Sequence, residues 1–176
     1  GKARLRSINL GAKSRAEIDA LHAQAKALGA TVLTPPQELP KIAGGGYGFS
    51  LQSPEGQQVK VLWQGKPVFV RHRTPVEIAA AQRDDFANLK DPQSDADRLK
   101  QEAGEAGQPA WLVLQASCTH LGCVPTFVEG SQFGGWFCPC HGSDYDTSGR
   151  IRRGPAPKNL LVAPYLFTGP TAIRIG

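Results

Sequence analysis

Two short stretches decide how this chain reads: Cys118-Thr119-His120-Leu121-Gly122-Cys123 and Cys138-Pro139-Cys140-His141-Gly142-Ser143. All four cysteines of the 176 residues fall inside them, with two of the four histidines. Each box offers one thiolate and one imidazole, spaced C-x-H or C-x-x-H, plus one further cysteine. A free buried cysteine ordinarily behaves as a small hydrophobe, but that does not account for two matched boxes. A structural Cys2His2 zinc site employs four donors and leaves Cys123 and Cys140 idle. A disulfide framework employs four cysteines and leaves both histidines idle, and a chain of this size does not need one. A thioredoxin-type C-x-x-C is absent, because a single residue separates Cys138 from Cys140.

The arrangement that gives every residue a part is a Rieske [2Fe–2S] cluster, with two thiolates on one iron and two imidazoles on the other. Neutral imidazole donates less charge than thiolate, so the His-bound iron takes an electron more easily. The potential then lies at about −150 to +300 mV, against about −400 mV for all-cysteine plant-type clusters. Two short loops, one from each box, are suited to clamp a small cluster at the tip of a domain.

Outward from the boxes the pattern is β-rich. Trp111-Leu112-Val113-Leu114-Gln115 predicts a buried strand running into Cys118. Val59, Val61 and Trp63 alternate, Gln64-Gly65-Lys66-Pro67 turns, and Val68-Phe69-Val70 returns, which predicts a hairpin. Further short strands are expected at 126–128, 135–137, 160–162 and 172–175. Thr74-Pro75 opens a helix with proline at its first position. Residues 76–107 are polar and helix-prone, Asp91-Pro92 divides them, and a second short helix is expected over 95–103. This stretch reads as structural filler. His72, beside two arginines at a strand end, reads as a surface residue.

These motifs are similar to the Rieske iron–sulfur subunit of bacterial and mitochondrial cytochrome bc complexes, over about residues 59–176. Gly65-Lys66-Pro67-Val68-Phe69-Val70-Arg71, Gly134-Gly135-Trp136-Phe137 and Gly149-Arg150-Ile151-Arg152 fit the same subfamily. The resemblance implies that Cys118 and Cys138 bind the inner iron, and His120 and His141 the outer, exposed one. It implies a Cys123–Cys140 disulfide, which closes a loop of 18 residues and stabilises by roughly 3 kcal/mol in the entropy account. Ser143 matches a residue whose hydroxyl bonds a bridging sulfide, and Tyr145 one whose hydroxyl bonds a ligand cysteine. Such bonds withdraw charge from sulfur and raise the potential. Gly154, Pro155, Ala156 and Pro157 match a third loop that covers the cluster, and Leu121 joins that loop in an apolar docking rim. The extra cysteines, Ser143 and Tyr145 argue against a ferredoxin of an aromatic-ring oxygenase.

Residues 1–57 have another texture. Leu5, Ile8 and Leu10 predict a strand. Ser14 and Glu17 form a capping box, Ile18, Leu21, Ala25 and Leu28 recur at helical spacing, and Gly29 ends the helix. Thr31-Val32-Leu33 predicts a strand closed by Pro35-Pro36. After Gly44-Gly45-Gly46 comes Tyr47-Gly48-Phe49-Ser50-Leu51, expected to pair beside residues 59–63. This order resembles half a module of the vicinal oxygen chelate superfamily (glyoxalases and extradiol dioxygenases). That family tends to place a metal-binding histidine where Ser7 stands, so the segment is expected to bind no metal. His22, in the helix, reads as a surface histidine.

Composition fits a globular chain, with 40% hydrophobic and 20% charged residues. Twenty glycines and 14 prolines favour turns and short strands over a helix bundle. The net charge of +5 is spread along the chain, without a recognition motif for nucleic acid. No apolar run of membrane-spanning length exists, so the chain itself is expected to be soluble, joining a membrane only through a missing N-terminal anchor or through its complex.

The expected fold is mainly β. It comprises a Rieske-type antiparallel β-sandwich base with a small cluster-binding subdomain at about 116–158, all within 58–176, plus a strand–helix–strand–strand segment at 1–57. The expected function is one-electron transfer in quinol–cytochrome c reductase, with quinol, cytochrome b and a c-type cytochrome as partners and one Rieske-type [2Fe–2S] cluster per chain. His141 or His120 would meet the quinol. The place would be the periplasmic side of a bacterial inner membrane or the intermembrane-space side of a mitochondrial one. Two alternatives stand beside it: the Rieske subunit of another oxidoreductase such as arsenite oxidase, and a structural zinc protein.

Overall fold

A computed structural model describes residues 7–10, 15–27, 31–38, 47–52, 55–83, 86–169 and 172–176. In chain order the elements are β1 (Ser7–Leu10), α1 (Arg15–Ala27), β2 (Thr31–Glu38), β3 (Tyr47–Gln52), β4 (Gln58–Trp63), β5 (Lys66–His72) and α2 (Pro75–Arg83). A 3-10 turn (Phe86–Asn88) follows, then α3 (Asp95–Arg98), β6 (Trp111–Gln115), β7 (Thr126–Phe127), β8 (Gly134–Cys138), β9 (Ser143–Asp146), β10 (Ile151–Arg153), β11 (Tyr165–Gly169) and β12 (Ala172–Ile175). The protein is mostly β, in largely antiparallel sheets with few helices.

The hairpin read from the alternating valines forms the centre. Gln64 and Gly65 join β4 to β5, and both have positive φ, 49° and 75°. A two-residue loop of that kind follows the twist of the flanking strands. β5 pairs with β4 from Gln58↔Arg71 to Trp63↔Lys66 and with β6 from Val68↔Gln115 to His72↔Trp111. Successive side chains point to opposite faces of a strand, so this three-stranded sheet serves two cores. Val68, Val70, Trp111 and Val113 face a core shared with Ile18 of α1, Tyr165 of β11 and Ile173 and Ile175 of β12. Phe69, Leu112 and Leu114 face the other, shared with Cys118, Trp136, Cys138, Tyr145, Ile151 and Leu160. Each fully buried aliphatic side chain contributes about 1.5–3 kcal/mol.

Behind the first core lies a five-stranded sheet in the order β11-β12-β1-β3-β2. Its one parallel pair is β1 with β12, from Ser7↔Ala172 to Leu10↔Ile175. Here two expectations are corrected. β3 pairs with β1 and β2, not with β4, because β1 occupies the open edge of β12 and β3 adds beyond it. Nor do Pro35 and Pro36 end β2, which runs on to Glu38. The register of β2 on β3 shifts between Thr34 and Gln37, and β2 is the edge strand. Prolines are tolerated at such places, where no ladder donor is missed. Ser14, Gly29 and residues 44–46 lie outside the described residues.

The second core is covered by a four-stranded sheet in the order β10-β9-β8-β7. β9, β10 and β11 were not foreseen. Of the strand expected at 160–162 only a bridge, Val162 with Leu114, is present. The second helix stops at Arg98, because the backbone then bonds elsewhere: Glu102 N–H donates to the Tyr165 carbonyl at 2.9 Å. His72 is not a surface residue. It is 3% exposed and stacks on Trp111 with ring centroids 4.0 Å apart. β5 is the middle strand of its sheet, so its last residue is covered from both sides.

Candidate metal centre

Both boxes fold by the same local rule. The Gly122 N–H donates to the Cys118 carbonyl at 2.8 Å, and the Gly142 N–H to the Cys138 carbonyl at 3.0 Å. Both glycines have left-handed φ, 85° and 76°, a conformation cheap for glycine alone. Each box is therefore a tight loop that starts at a cysteine and throws its histidine outward. β6 delivers the first loop; the second is the connection between β8 and β9, closed by the pair Cys138↔Ser143. A disulfide between Cys123 and Cys140 ties the loops together. A third loop, 154–157, presses on the second box. Gly154 has φ of 97°, and a Cβ there would stand 2.5 Å from the Gly142 carbonyl oxygen, so no side chain fits.

The residues singled out in the sequence converge here. Cys118 and Cys138 are free and buried. The rings of His120 and His141 meet edge to face, 4.6 Å between centroids. His141 is exposed and His120 half-buried, and Leu121 beside them is 71% exposed. The Tyr145 hydroxyl lies 3.2 Å from the Cys118 sulfur. Ser143 is buried, and its Oγ accepts the Ala156 N–H at 3.1 Å. The sulfurs of Cys123, Cys138 and Cys140 lie within 4.8 Å of one another, but the disulfide occupies two of these, which removes the trio as a ligand set.

The electrostatics distinguish the two free thiols. Burial opposes ionisation of Cys118, but hydrogen bonds from Tyr145, the His120 backbone, Cys138 and Ser143 outweigh it and hold the thiol below its ordinary value. Burial pushes the Cys138 thiol up, and its bond to Cys118 adds to that. Tyr145 is pushed well up, first by burial and then by its bond to Cys118. The hydroxyl therefore keeps its proton and can donate it to the sulfur.

Nδ1 of His120 is buried and has no hydrogen-bond partner among the described residues. Buried polar atoms are rarely left so, and here the orphan nitrogen belongs to a ring that meets a second imidazole, on loops that also carry two free, buried thiols. Two thiols and two imidazoles on two loops tied by one disulfide fit a [2Fe–2S] group of mixed ligation.

Several residues that hold the site carried no sequence signal. Thr119 Oγ1 donates to the Lys158 carbonyl at 2.6 Å and so ties the first box to the third loop. Asp146 Oδ1 accepts the N–H groups of Ser148 and Arg150 and shapes the β9–β10 turn. Arg73, Asp95, Arg98 and Arg150 are all buried around that turn. Arg73 grips Asp95 at 2.7 and 3.1 Å, Asp95 accepts from the Ser148 hydroxyl, and Arg98 donates to the Ser148 carbonyl at 3.1 Å. Segment 76–107, read as filler, thus supplies Asp95 and Arg98 to the turn that backs the second box.

Comparison with known proteins agrees with the geometry. Residues 92–165 match the Rieske [2Fe–2S] domain. The ubiquinol–cytochrome c reductase iron–sulfur subunit of Blastochloris viridis is 57% identical over 122 residues, 69% of this chain and 65% of that protein. The mitochondrial cytochrome b–c1 complex subunit Rieske of Saccharomyces cerevisiae is 58% identical over 120 residues, 68% of this chain and 52% of that protein. Among solved structures, a cyanobacterial plasma membrane Rieske protein from Synechocystis covers 68% of this chain and 85% of its own, with 19% identity and a TM-score of 0.41. The chain spans about half to two thirds of the length of the curated relatives it matches. It carries a Rieske [2Fe–2S] domain over residues 92–165.

Proposed function

We propose that this chain is the one-electron carrier of a quinol–cytochrome c reductase, with Cys118 and Cys138 holding one iron and His120 and His141 the other. The observation that carries the reading is the pair of imidazoles at the tip: His141 exposed, His120 with Nδ1 turned inward, and exposed Leu121 alongside. When bound, the cluster supplies a one-electron acceptor of raised potential. The chain's own residues do the rest. The exposed ring of His141 accepts a hydrogen bond from the quinol hydroxyl and takes its proton, and Leu121 with Pro155 and Pro157 gives the quinone pocket an apolar rim. Histidine suits the task because modest changes around it move its proton affinity across neutral pH. Ser143 and Tyr145 withdraw charge from sulfur, and the disulfide keeps the two loops at a fixed separation.

The partners on this reading are cytochrome b and a c-type cytochrome, and residues 58–176 are the unit that serves them. The Cys123–Cys140 disulfide favours an oxidising side, periplasmic or intermembrane. No helix among the described residues is long and apolar enough to cross a membrane, so attachment is through the complex or an anchor outside the described residues. Reconstitution with the cytochrome subunits tests the reading. Quinol-dependent reduction of cytochrome c, lost in His141→Ala, is expected. A normal Rieske EPR spectrum with no quinol turnover would move the chain to another oxidoreductase.

A further inference from the structure

The third loop is gripped from behind by residues that lie far from either box in sequence. Lys90 Nζ donates to the carbonyls of Gly154 at 3.2 Å and Ala156 at 2.9 Å. Asp91 accepts the Asn159 N–H at 2.8 Å, and the Asn159 amide donates to the Asp91 carbonyl and to Gln93, each at 2.9 Å. The stretch from Lys90 to Gln93 therefore clasps the loop at both ends.

Between those ends sits Ala156, whose N–H donates to Ser143 Oγ. That bond occupies an acceptor site of the hydroxyl and leaves its hydrogen free to donate, at a residue paired in register with the free thiol Cys138. The two bonds lie on adjacent peptide planes that meet at the Ala156 Cα: its carbonyl faces Lys90 while its N–H faces Ser143. An ammonium held on two carbonyls makes charge-assisted bonds, stronger than neutral ones.

We propose that Lys90 is a positioning residue for the cluster: it fixes loop 154–157 through the Gly154 and Ala156 carbonyls and so holds the Ser143 hydroxyl in place at the second box. The proposal rests on the ligation given above and not on quinol chemistry, so a chain without quinol turnover still tests it. If the ligation reading fails, the unsubstituted protein shows no Rieske EPR signal at all.

The experiment is voltammetry of the holoprotein as Lys90→Met, Lys90→Arg, Ser143→Ala and the double variant Lys90→Met/Ser143→Ala, with iron content measured on each sample. Lys90→Met is expected to keep two irons per chain and lower the midpoint potential. Lys90→Arg, which retains charge and donors, should recover most of the drop. In the Ser143→Ala background Lys90→Met should have less than half its effect, because residues acting through one another are not additive. A drop of half or more in that background would identify a through-space charge effect and overturn the proposal. An unchanged potential in Lys90→Met, no recovery in Lys90→Arg, or loss of iron from Lys90→Met would each overturn it as well.

Discussion

On one face of the β4–β5–β6 sheet the core is sealed by apolar contact: Ile18, Val61, Val68, Val70, Ile173 and Ile175 meet across two sheets. On the other face the apolar core runs up to Cys118, Cys138 and Ala156, and directional bonds are added to it. There Arg73, Asp95, Arg98, Asp146, Arg150 and Asn159 are all buried, and a disulfide crosses between loops. Stacking two sheets requires only matching area, and it tolerates small sliding. Bringing two thiols and two imidazoles to one point requires fixed loop backbones, which non-directional burial cannot supply. The base is held by area and the tip by geometry, and the two should fail differently.

The sharpest way to break this comparison is at the tip itself. His120→Ala and His141→Ala should each abolish the Rieske EPR signal while far-ultraviolet circular dichroism stays that of a folded β protein. His72→Ala should leave the signal in place, since His72 packs on Trp111 in the base core. A normal spectrum in both box variants would sink the ligand assignment.

Asp95→Ala comes next. It leaves the Arg73 guanidinium buried without its carboxylate and the Ser148 hydroxyl without its acceptor. Removing one member of a buried pair costs about 3–5 kcal/mol, read as a fall in the urea midpoint. The distortion falls on the β9–β10 turn, so the cluster spectrum should broaden as well. A stability loss with an unaltered spectrum would show that Asp95 serves only the fold.

The contrast between the two faces also explains what was legible in the sequence. The two boxes announce their chemistry through residue type and spacing alone, and the hairpin at Gln64-Gly65 through alternation and a turn signal. Arg71-His72-Arg73 read as ordinary solubility charge because only Glu77 stands near it in sequence to neutralise it. Its partners are Glu77, Asp95 and the Pro109 carbonyl, the last two of them 22 and 36 residues away. Segment 76–107 read as filler for the same reason: Lys90, Asp91, Gln93 and Asp95 acquire their roles only when the chain returns at 143–159. Non-local polar pairing leaves no period in the sequence. The pairing of β3 was misjudged on different grounds, since alternation marks a strand without naming its neighbour.

A substitution in the base sharpens the comparison from the other side. Ile18 is 2% exposed and joins α1 to Val61, Val68 and Ile173. Ile18→Ala removes buried methyls and leaves a cavity, which costs about 2–5 kcal/mol. Thermal unfolding should register that loss, and the EPR spectrum and midpoint potential should not move. Iron analysis belongs in the same experiment: two irons and no third metal are expected per chain, with residues 1–57 acting by packing alone. A shifted potential would mean that the two cores are coupled through the shared sheet.

The smallest effects come from two buried tyrosines, one in each core. Tyr145 bonds the Cys118 sulfur at 3.2 Å, and Tyr165 donates to the Leu99 carbonyl at 2.6 Å. Each change to phenylalanine deletes one hydrogen bond, with a net cost of about 1 kcal/mol. At Tyr145 that cost should appear as a midpoint potential lower by roughly 40 mV, since a tenfold change in a one-electron equilibrium is about 59 mV. At Tyr165 it should appear as stability and leave the potential alone. Alkali gives Tyr165 a second test. Burial pushes Tyr165 from its ordinary 10.0 up to about 12. A group whose folded value is raised contributes stability that is whole below its unfolded value and is lost as pH climbs through the folded one. The protein should therefore lose stability between about pH 10 and 12, and Tyr165→Phe should flatten that part of the loss. If Tyr165→Phe lowered the potential as much as Tyr145→Phe, the division of the molecule into a base held by area and a tip held by geometry would not stand.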